Sequence, residues 1–297
     1  MDTAAWETAV PAGAQLGERP VWDGTALVWV DIMAGRLHRY TPGAGDEVLL
    51  ELAAGGRPVP IGTVSCRRGG GYVLATAAGF QLTGPDGQLE GDALRPPGMP
   101  ADDRFNDGVC DPAGRFWAGT VAYDVRPGAG ALYRLDPDGT ITVALDGVTE
   151  SNGLGWSHDG GTMYYIDSGE PEPRIRAFGF DLDRGELGQS RDLVSFPGGG
   201  PVPDGLIVDA DGCLWAAIWG AGEVHRYAPD GELLAVLPVP VSQPTCPAFG
   251  GPGLDELYLT TAWKNMTPAQ RDAEPLAGHV LRARPGARGV PVLSFGG

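Results

Sequence analysis

Six short apolar runs that end in small or polar residues recur along the chain: LVWVDI (27–32), YVLATA (72–77), RFWAGT (115–120), MYYIDS (163–168), CLWAAI (213–218) and ELYLTT (256–261). Aligned on their third residues, Trp29, Leu74, Trp117, Tyr165, Trp215 and Tyr258, they are spaced by 45, 43, 48, 50 and 43 positions. A second phrase follows most copies, as in GRLHRY (35–40), GALYRL (130–135) and GEVHRY (222–227). Several of these alternate apolar and polar residues, the period of a strand with one buried face. A third phrase, seen in PVWDG, VCDPAG, GWSHDG and VDADG, precedes most of the central runs and reads as a strand end followed by an Asp/Gly turn. Each unit therefore holds several short strands.

Six such units predict an all-β fold, a six-bladed β-propeller with a central channel, spanning residues 1–297 as one domain. A single blade cannot bury both of its faces, so the ring must close. The stretch WETAVPAGAQ (6–15) precedes the first full unit and is expected to supply the strand that completes the last blade. A two-sheet sandwich is the alternative architecture, and the sixfold phrase argues against it. Helix is expected only in the long loop of the sixth unit, around PAQRDA and RDAEPLA.

Composition agrees with turns rather than disorder. The 48 glycines and 27 prolines are interleaved with apolar residues, which form 42% of the chain. The net charge of −17 repels phosphate backbones, which excludes nucleic acid as a partner and favours divalent cations or neutral polar ligands. The sequence predicts no secretory signal and no membrane span, hence a cytoplasmic protein. Cys66, Cys110, Cys213 and Cys246 are isolated from one another with no CxxC, so they read as free thiols of a reducing compartment. His38 and His225 occupy matching places in their repeats and read as structural; His158 falls in a turn and His279 in a late strand. GxSxG, P-loop and GxGxxG motifs are absent, which disfavours Ser–His hydrolysis and phosphate-loop chemistry.

The first strand of a propeller blade lines the channel, so its opening residue faces one axial mouth. Eleven to thirteen positions before the aligned central residues stand Glu18, Gly62, Asn106 with Asp107, Asn152, Asp204 and Thr245. Any one Asp or Asn there is ordinary turn chemistry. Together they point several oxygen donors at one pocket, where carboxylates repel unless a cation compensates. Carboxylate and amide oxygens suit Ca²⁺, Mg²⁺ or Mn²⁺ and tolerate Zn²⁺ or Fe²⁺. Arg104, two residues before Asn106, is expected to share its face and to hold ligand hydroxyls or a carboxylate.

The segments LGERPVWDGTALVWVDI, RFNDGVCDPAGRFWAGT, SNGLGWSHDGGTMYYIDS and PDGLIVDADGCLWAAIWGAGEVHRYAPDG resemble the gluconolactonase, regucalcin (senescence marker protein) and luciferin-regenerating enzyme family over about residues 14–297. The resemblance implies one divalent metal in the channel of a six-bladed propeller and the hydrolysis of sugar-acid lactones. By motif, it implies Glu18, Asn152 and Asp204 as metal ligands and Arg104 and Asn106 as substrate-binding residues. The family often carries an acidic pair shortly after AGT. Here the text is AGTVAYDV, with Tyr123 and Asp124, so the first acid is missing from a loop expected to roof the pocket.

These readings converge on a lactonase with a monomeric chain and a small sugar lactone as substrate. Asp204 is the expected general base, with Asp107 or hydroxide on the metal as alternatives; Arg104, Asn106, Tyr123 and Asp124 are expected to orient the sugar hydroxyls. Two other classes stay open: an esterase or phosphotriesterase using the same site, and a non-enzymatic calcium-binding propeller.

Overall fold

A computed structural model describes residues 5–169 and 171–297. Its strands form six four-stranded antiparallel sheets, with one additional two-stranded ribbon, Ala53–Ala54 with Arg57–Pro58. Each sheet is one blade. The innermost strands are Gly17–Trp22, Ile61–Cys66, Asp103–Cys110, Ser151–Trp156, Val202–Val208 and Pro244–Gly250. The aligned apolar runs form the second strand of each blade, as in Leu27–Asp31 and Phe116–Ala122. Among the described residues the one helix is short, Pro268–Ala273, opened by a capping box between Thr267 and Gln270.

The ring closes as the sequence requires. The N-terminal strand Glu7–Val10 pairs antiparallel with Val280–Ala283, setting Glu7 opposite Arg282 and Thr8 opposite Leu281. The last blade is thus built from both ends of the chain. Trp6 Nε1 donates to Pro238 O at 2.7 Å, and Arg282 reaches Glu7 at 2.9 Å.

Burial explains the repeated phrase. Trp29, Leu74, Trp117, Tyr165, Trp215 and Tyr258 are all fully buried. They do not share one core. The apolar clusters lie between neighbouring blades: Val109, Trp117 and Leu132 of the third blade pack with Trp156, Met163 and Tyr165 of the fourth. Trp215 and Val224 of the fifth likewise meet Phe249 and Leu257 of the sixth. Every blade needs both neighbours, so the stability of the ring is distributed over its interfaces. The Asp of the third phrase serves the same core. Asp111 accepts the Arg115 amide at 3.0 Å and the Trp117 indole at 3.0 Å. Asp209 accepts the Cys213 amide at 2.9 Å and the Trp215 indole at 2.8 Å. One carboxylate thereby holds the turn and satisfies the buried N–H of the central tryptophan. In the first blade the two tasks separate: Asp23 holds the turn, and Trp29 donates to Asp46 at 3.0 Å.

Register adds a feature that alternation alone does not show. Each innermost strand breaks register near its start: between Glu18 and Val21, Ile61 and Thr63, Phe105 and Gly108, Ser151 and Leu154, Pro203 and Leu206, and Pro244 and Pro247. A bulge re-aims the side chains of the residues it leaves unpaired. The unpaired positions include Asn106, Asp107, Asn152 and Asp204, and Glu18 sits at the edge of its own bulge.

Candidate active site at one mouth of the channel

The bulges bring the expected residues together. A cleft of about 460 Å³ out to its mouth is lined by Glu18, Arg104, Asn106, Asn152 and Asp204, with Glu150, Lys264, Trp219, Leu16 and Val202 completing the wall. Glu18, Arg104, Asn106, Asn152 and Asp204 are each more than nine-tenths buried. Glycines make this convergence possible. A Cβ on Gly153, after Asn152, would overlap the backbone of Leu206, and one on Gly205, after Asp204, would overlap Cys246. The inner strands press together there, which accounts for the glycines of SNGL and PDGL.

A chain of hydrogen bonds fixes three of the side chains. Arg104 Nη1 donates to Asn106 Oδ1 at 2.7 Å, and Asn106 Nδ2 donates to Asn152 Oδ1 at 2.7 Å and to Ser151 O at 2.9 Å. Asn152 Nδ2 donates to Ser168 Oγ at 2.7 Å, and that hydroxyl donates to Pro203 O, beside Asp204, at 2.5 Å. The amide orientations follow, because each nitrogen faces an acceptor.

The carboxylates are left differently. Glu18 Oε2 accepts the amide of Arg19 at 2.7 Å. No side chain among the described residues donates a hydrogen bond to the carboxylate of Glu18 or Asp204. Burial, then the charge of Asp107, pushes the Glu18 carboxyl up to about 8, against the opposing Arg19 amide and the cations of Arg19 and Arg104. Asp204 is held well above the usual carboxylate range, first by burial and then by Glu18, Glu150 and Asp107, with Lys264 opposing. The Lys264 ammonium is in turn lowered by burial and by the neighbouring Arg104. Two buried carboxylates, each raised by burial and by neighbouring acids and both lining one cleft, form a site that a cation stabilises.

The donor set fits a hard divalent ion. Glu18 and Asp204 offer carboxylate oxygens, and Asn152 Oδ1 keeps a lone pair beside its one hydrogen bond from Asn106. Among the described residues, no group of three or more His, Cys, Asp or Glu gathers into a metal site. The third donor here is an amide, which leaves a soft or imidazole-rich site out of consideration.

Several positions differ from the sequence reading. Tyr123 and Asp124 do not line the cleft. The Tyr123 side chain is 54% exposed, and Asp124 pairs with Arg126 at 3.2 Å on the surface. The cause is local. The strand Phe116–Ala122 ends in a turn where Val125 takes a φ of 53°, and Arg126 binds Asp102 at 2.6 Å, which draws the loop outward. Tyr123 still lies close enough to act electrostatically on Arg104. Asp107 is buried below the cleft, where its Oδ1 accepts the Gly108 amide at 2.6 Å and lies 3.9 Å from Arg19 Nη1, so it does not meet a ligand there. Glu150, Ser168 and Lys264 were missed, since they come from a connection, a strand end and the sixth-blade loop rather than from the repeated position. The histidines stand apart: His38 stacks on Trp29 and bonds Asp46 at 2.8 Å, and His225 bonds Glu223 at 2.7 Å. All four cysteines are free, three of them buried and Cys66 partly so. No helix among the described residues is long and apolar enough to cross a membrane.

A six-bladed propeller whose channel opens on buried carboxylates, amides and one guanidinium defines a class: axial-site propellers able to hold a cation and a polar ligand together. Within that class this chain belongs to the SMP-30/gluconolactonase/LRE-like family, whose model matches residues 16–263. It is 36% identical over 285 residues to a 6-deoxy-6-sulfogluconolactonase of Pseudomonas putida, covering 95% of each chain. It is 35% identical over 292 residues to regucalcin of Gallus gallus, again covering 95% of each. Among solved structures, a calcium-binding protein, regucalcin, of Agrobacterium tumefaciens superposes with a TM-score of 0.88 at 26% identity, covering 98% of this chain and 97% of that one.

Proposed function

We propose that this protein hydrolyses a sugar-acid lactone to the corresponding aldonic acid, with one divalent cation held by Glu18, Asn152 and Asp204. The observation that carries the reading is the meeting of two buried carboxylates that no side chain hydrogen-bonds, and an amide, with Arg104 and Asn106 in a single cleft. Membership of the family and the lactonase relative support the reaction class. The cation, when bound, supplies Lewis-acid polarisation of the lactone carbonyl and lowers the pKa of an attacking water.

The chain supplies the rest. Asp204 takes the proton from water as the water oxygen bonds to the carbonyl carbon. The ring C–O bond then breaks, and the departing oxygen leaves as a hydroxyl once that proton is returned. Burial and the neighbouring carboxylates raise the Asp204 carboxyl, which strengthens it as a base for such a shuttle. Asp204 lines the cleft and Asp107 does not, which favours Asp204 as the base. Arg104, locked to Asn106, presents a fixed cation to sugar hydroxyls or to the developing acid. Lys264 and Glu150 line the same cleft and act on each other electrostatically.

A calcium-binding role without turnover is the second reading, favoured by the regucalcin neighbour. Simple ion binding does not call for a buried guanidinium beside the donors, so the lactonase reading accounts for more of the site. The test is proton release from a panel of aldonolactones by chelator-stripped protein with single divalent ions restored. Metal-dependent acceleration over the no-protein rate is expected, and Asp204→Ala should lower it by about a thousandfold or more. Full turnover in that variant refutes the assignment.

A further inference from the structure

The channel has a second cavity at its other end. The inner strands run from the candidate active site to this far mouth, where they line a cavity of about 130 Å³ that opens to solvent. The walls are apolar: Trp22, Val109, Leu154, Trp156, Ile207 and Phe249 are typical. One residue in the lining carries a charge. Arg19 lies at the floor and is 4% exposed. Its Nε and Nη1 have no hydrogen-bond partner, and the nearest carboxylate oxygen, Asp107 Oδ1, stands 3.9 Å from Nη1. The backbone of Arg19 takes a φ of 42°, a left-handed conformation that is costly for a non-glycine residue. The bulge after Glu18 thus turns a guanidinium down the channel into an apolar chamber, where its N–H groups are unsatisfied. A buried guanidinium whose Nε and Nη1 make no hydrogen bond, and whose ion-pair partner Asp107 stands off at 3.9 Å, is costly for a protein to hold.

The chamber also has a cover. The C-terminal segment crosses its mouth and is fixed at both ends. Arg288 O accepts the Ala210 amide and Gly289 N donates to Leu254 O, each at 2.8 Å; beyond the crossing, Phe295 N donates to Cys66 O at 2.8 Å. Between these anchors, Val290 to Ser294 make no backbone hydrogen bond among the described residues, while Val290, Pro291, Val292 and Leu293 line the chamber. Val292 and Leu293 also pack against blade cores, so lifting this strap costs those side-chain contacts but no backbone hydrogen bond of a blade.

We propose that this far mouth is a second binding site, for a small carboxylate with an apolar body. The tail would fill the chamber and the carboxylate would take the free N–H groups of Arg19. A carboxylate matches the guanidinium fork in charge and geometry, and a pocket of this size and apolarity suits a body of about eight to ten carbons. The site lies at the opposite end of the channel from the cleft lined by Glu18, Asn152 and Asp204.

The experiment is calorimetric titration of the full chain with sodium octanoate and with octan-1-ol, with Trp22 and Trp156 fluorescence as a second readout, both with chelator and with a divalent ion present. Octanoate should bind once per chain, about tenfold to a hundredfold tighter than octanol, the preference a charge-assisted hydrogen bond gives. Arg19→Met should reverse that preference. Because Arg19 neighbours Glu18 and its loss can disturb folding, Val208→Glu is the second variant. Val208 lines the chamber half-exposed, and a carboxylate there should weaken octanoate by about tenfold while leaving octanol within about threefold. Asp204→Asn should leave octanoate affinity unchanged. Equal affinity for the acid and the alcohol, or no octanoate binding up to about 10 mM, a Kd worth under 3 kcal/mol, overturns the proposal. So does loss of octanoate binding in Asp204→Asn, which would put the anion in the metal cleft.

Discussion

Ser168 is the residue whose removal tests most directly how this site is held together. Its hydroxyl is 3% exposed, accepts from Asn152 Nδ2 at 2.7 Å and donates to Pro203 O at 2.5 Å. It therefore joins the strand that carries Asn152 to the strand that carries Asp204. Ser168→Ala strands one buried donor and one buried acceptor, each costing about 1–3 kcal/mol. Water can enter from the adjoining cleft and satisfy part of this, so the expected loss of stability is about 2 kcal/mol. The larger effect falls on the metal. Held then only by the hydrogen bond from Asn106, the Asn152 amide is less firmly oriented, and loss of such an outer hydrogen bond lowers metal affinity by about tenfold to a hundredfold. Isothermal titration with Ca²⁺ and Mn²⁺ reads the affinity, and urea unfolding reads the stability. Lactone turnover at saturating metal should recover to within a few fold of the parent, because no residue contacting substrate has changed. Metal affinity within twofold of the parent, in a variant destabilised as expected, refutes the claim that Ser168 orients the donor set.

Three further outcomes follow from the same geometry. Glu18 has its folded-state pKa raised from 4.5 to about 8, so the metal-free native state binds a proton that the unfolded chain releases in that interval; stability should fall as pH rises from about 4.5 to about 8, and Glu18→Gln should flatten the slope in pH-dependent urea unfolding. A chain lacking residues 1–10 loses the strand that closes the ring and the buried Val10, so it should unfold at least about 3 kcal/mol more easily and self-associate through the opened edge, as size-exclusion chromatography would show. Tyr123→Phe and Asp124→Ala should alter KM for a monosaccharide lactone by less than about threefold, whereas Arg104→Met should lower kcat/KM by about a hundredfold or more, in steady-state assays.

Much of this architecture was legible from residue order. The six central runs are spaced by the length of a blade, and a buried aromatic or leucine at the third position of each is what a ring of mutually dependent interfaces needs. The position of the site was legible for the same reason. Glu18, Asn106, Asn152 and Asp204 occupy one phase of the repeat, and the bulge at that phase points them all toward the axis. Residues outside the phase were not. Ser168 ends a second strand, Glu150 lies in a connection and Lys264 in the long loop of the sixth blade; nothing in their spacing marks them, and only the closed ring brings them within reach of Asp204.

Sequence by itself determined the number of blades, the closure of the ring by its own N-terminus and the residues offered to the axis, because periodic burial is written one residue at a time. Tertiary structure alone decided where the non-periodic side chains point. Tyr123 and Asp124 turn outward because Arg126 is engaged with Asp102 and Asp124 at the surface. Arg19 turns into the far chamber because a bulge rotates it away from its neighbour Glu18. A side chain's direction at a strand end depends on a few backbone angles set by distant partners, and those partners meet only when the ring has formed.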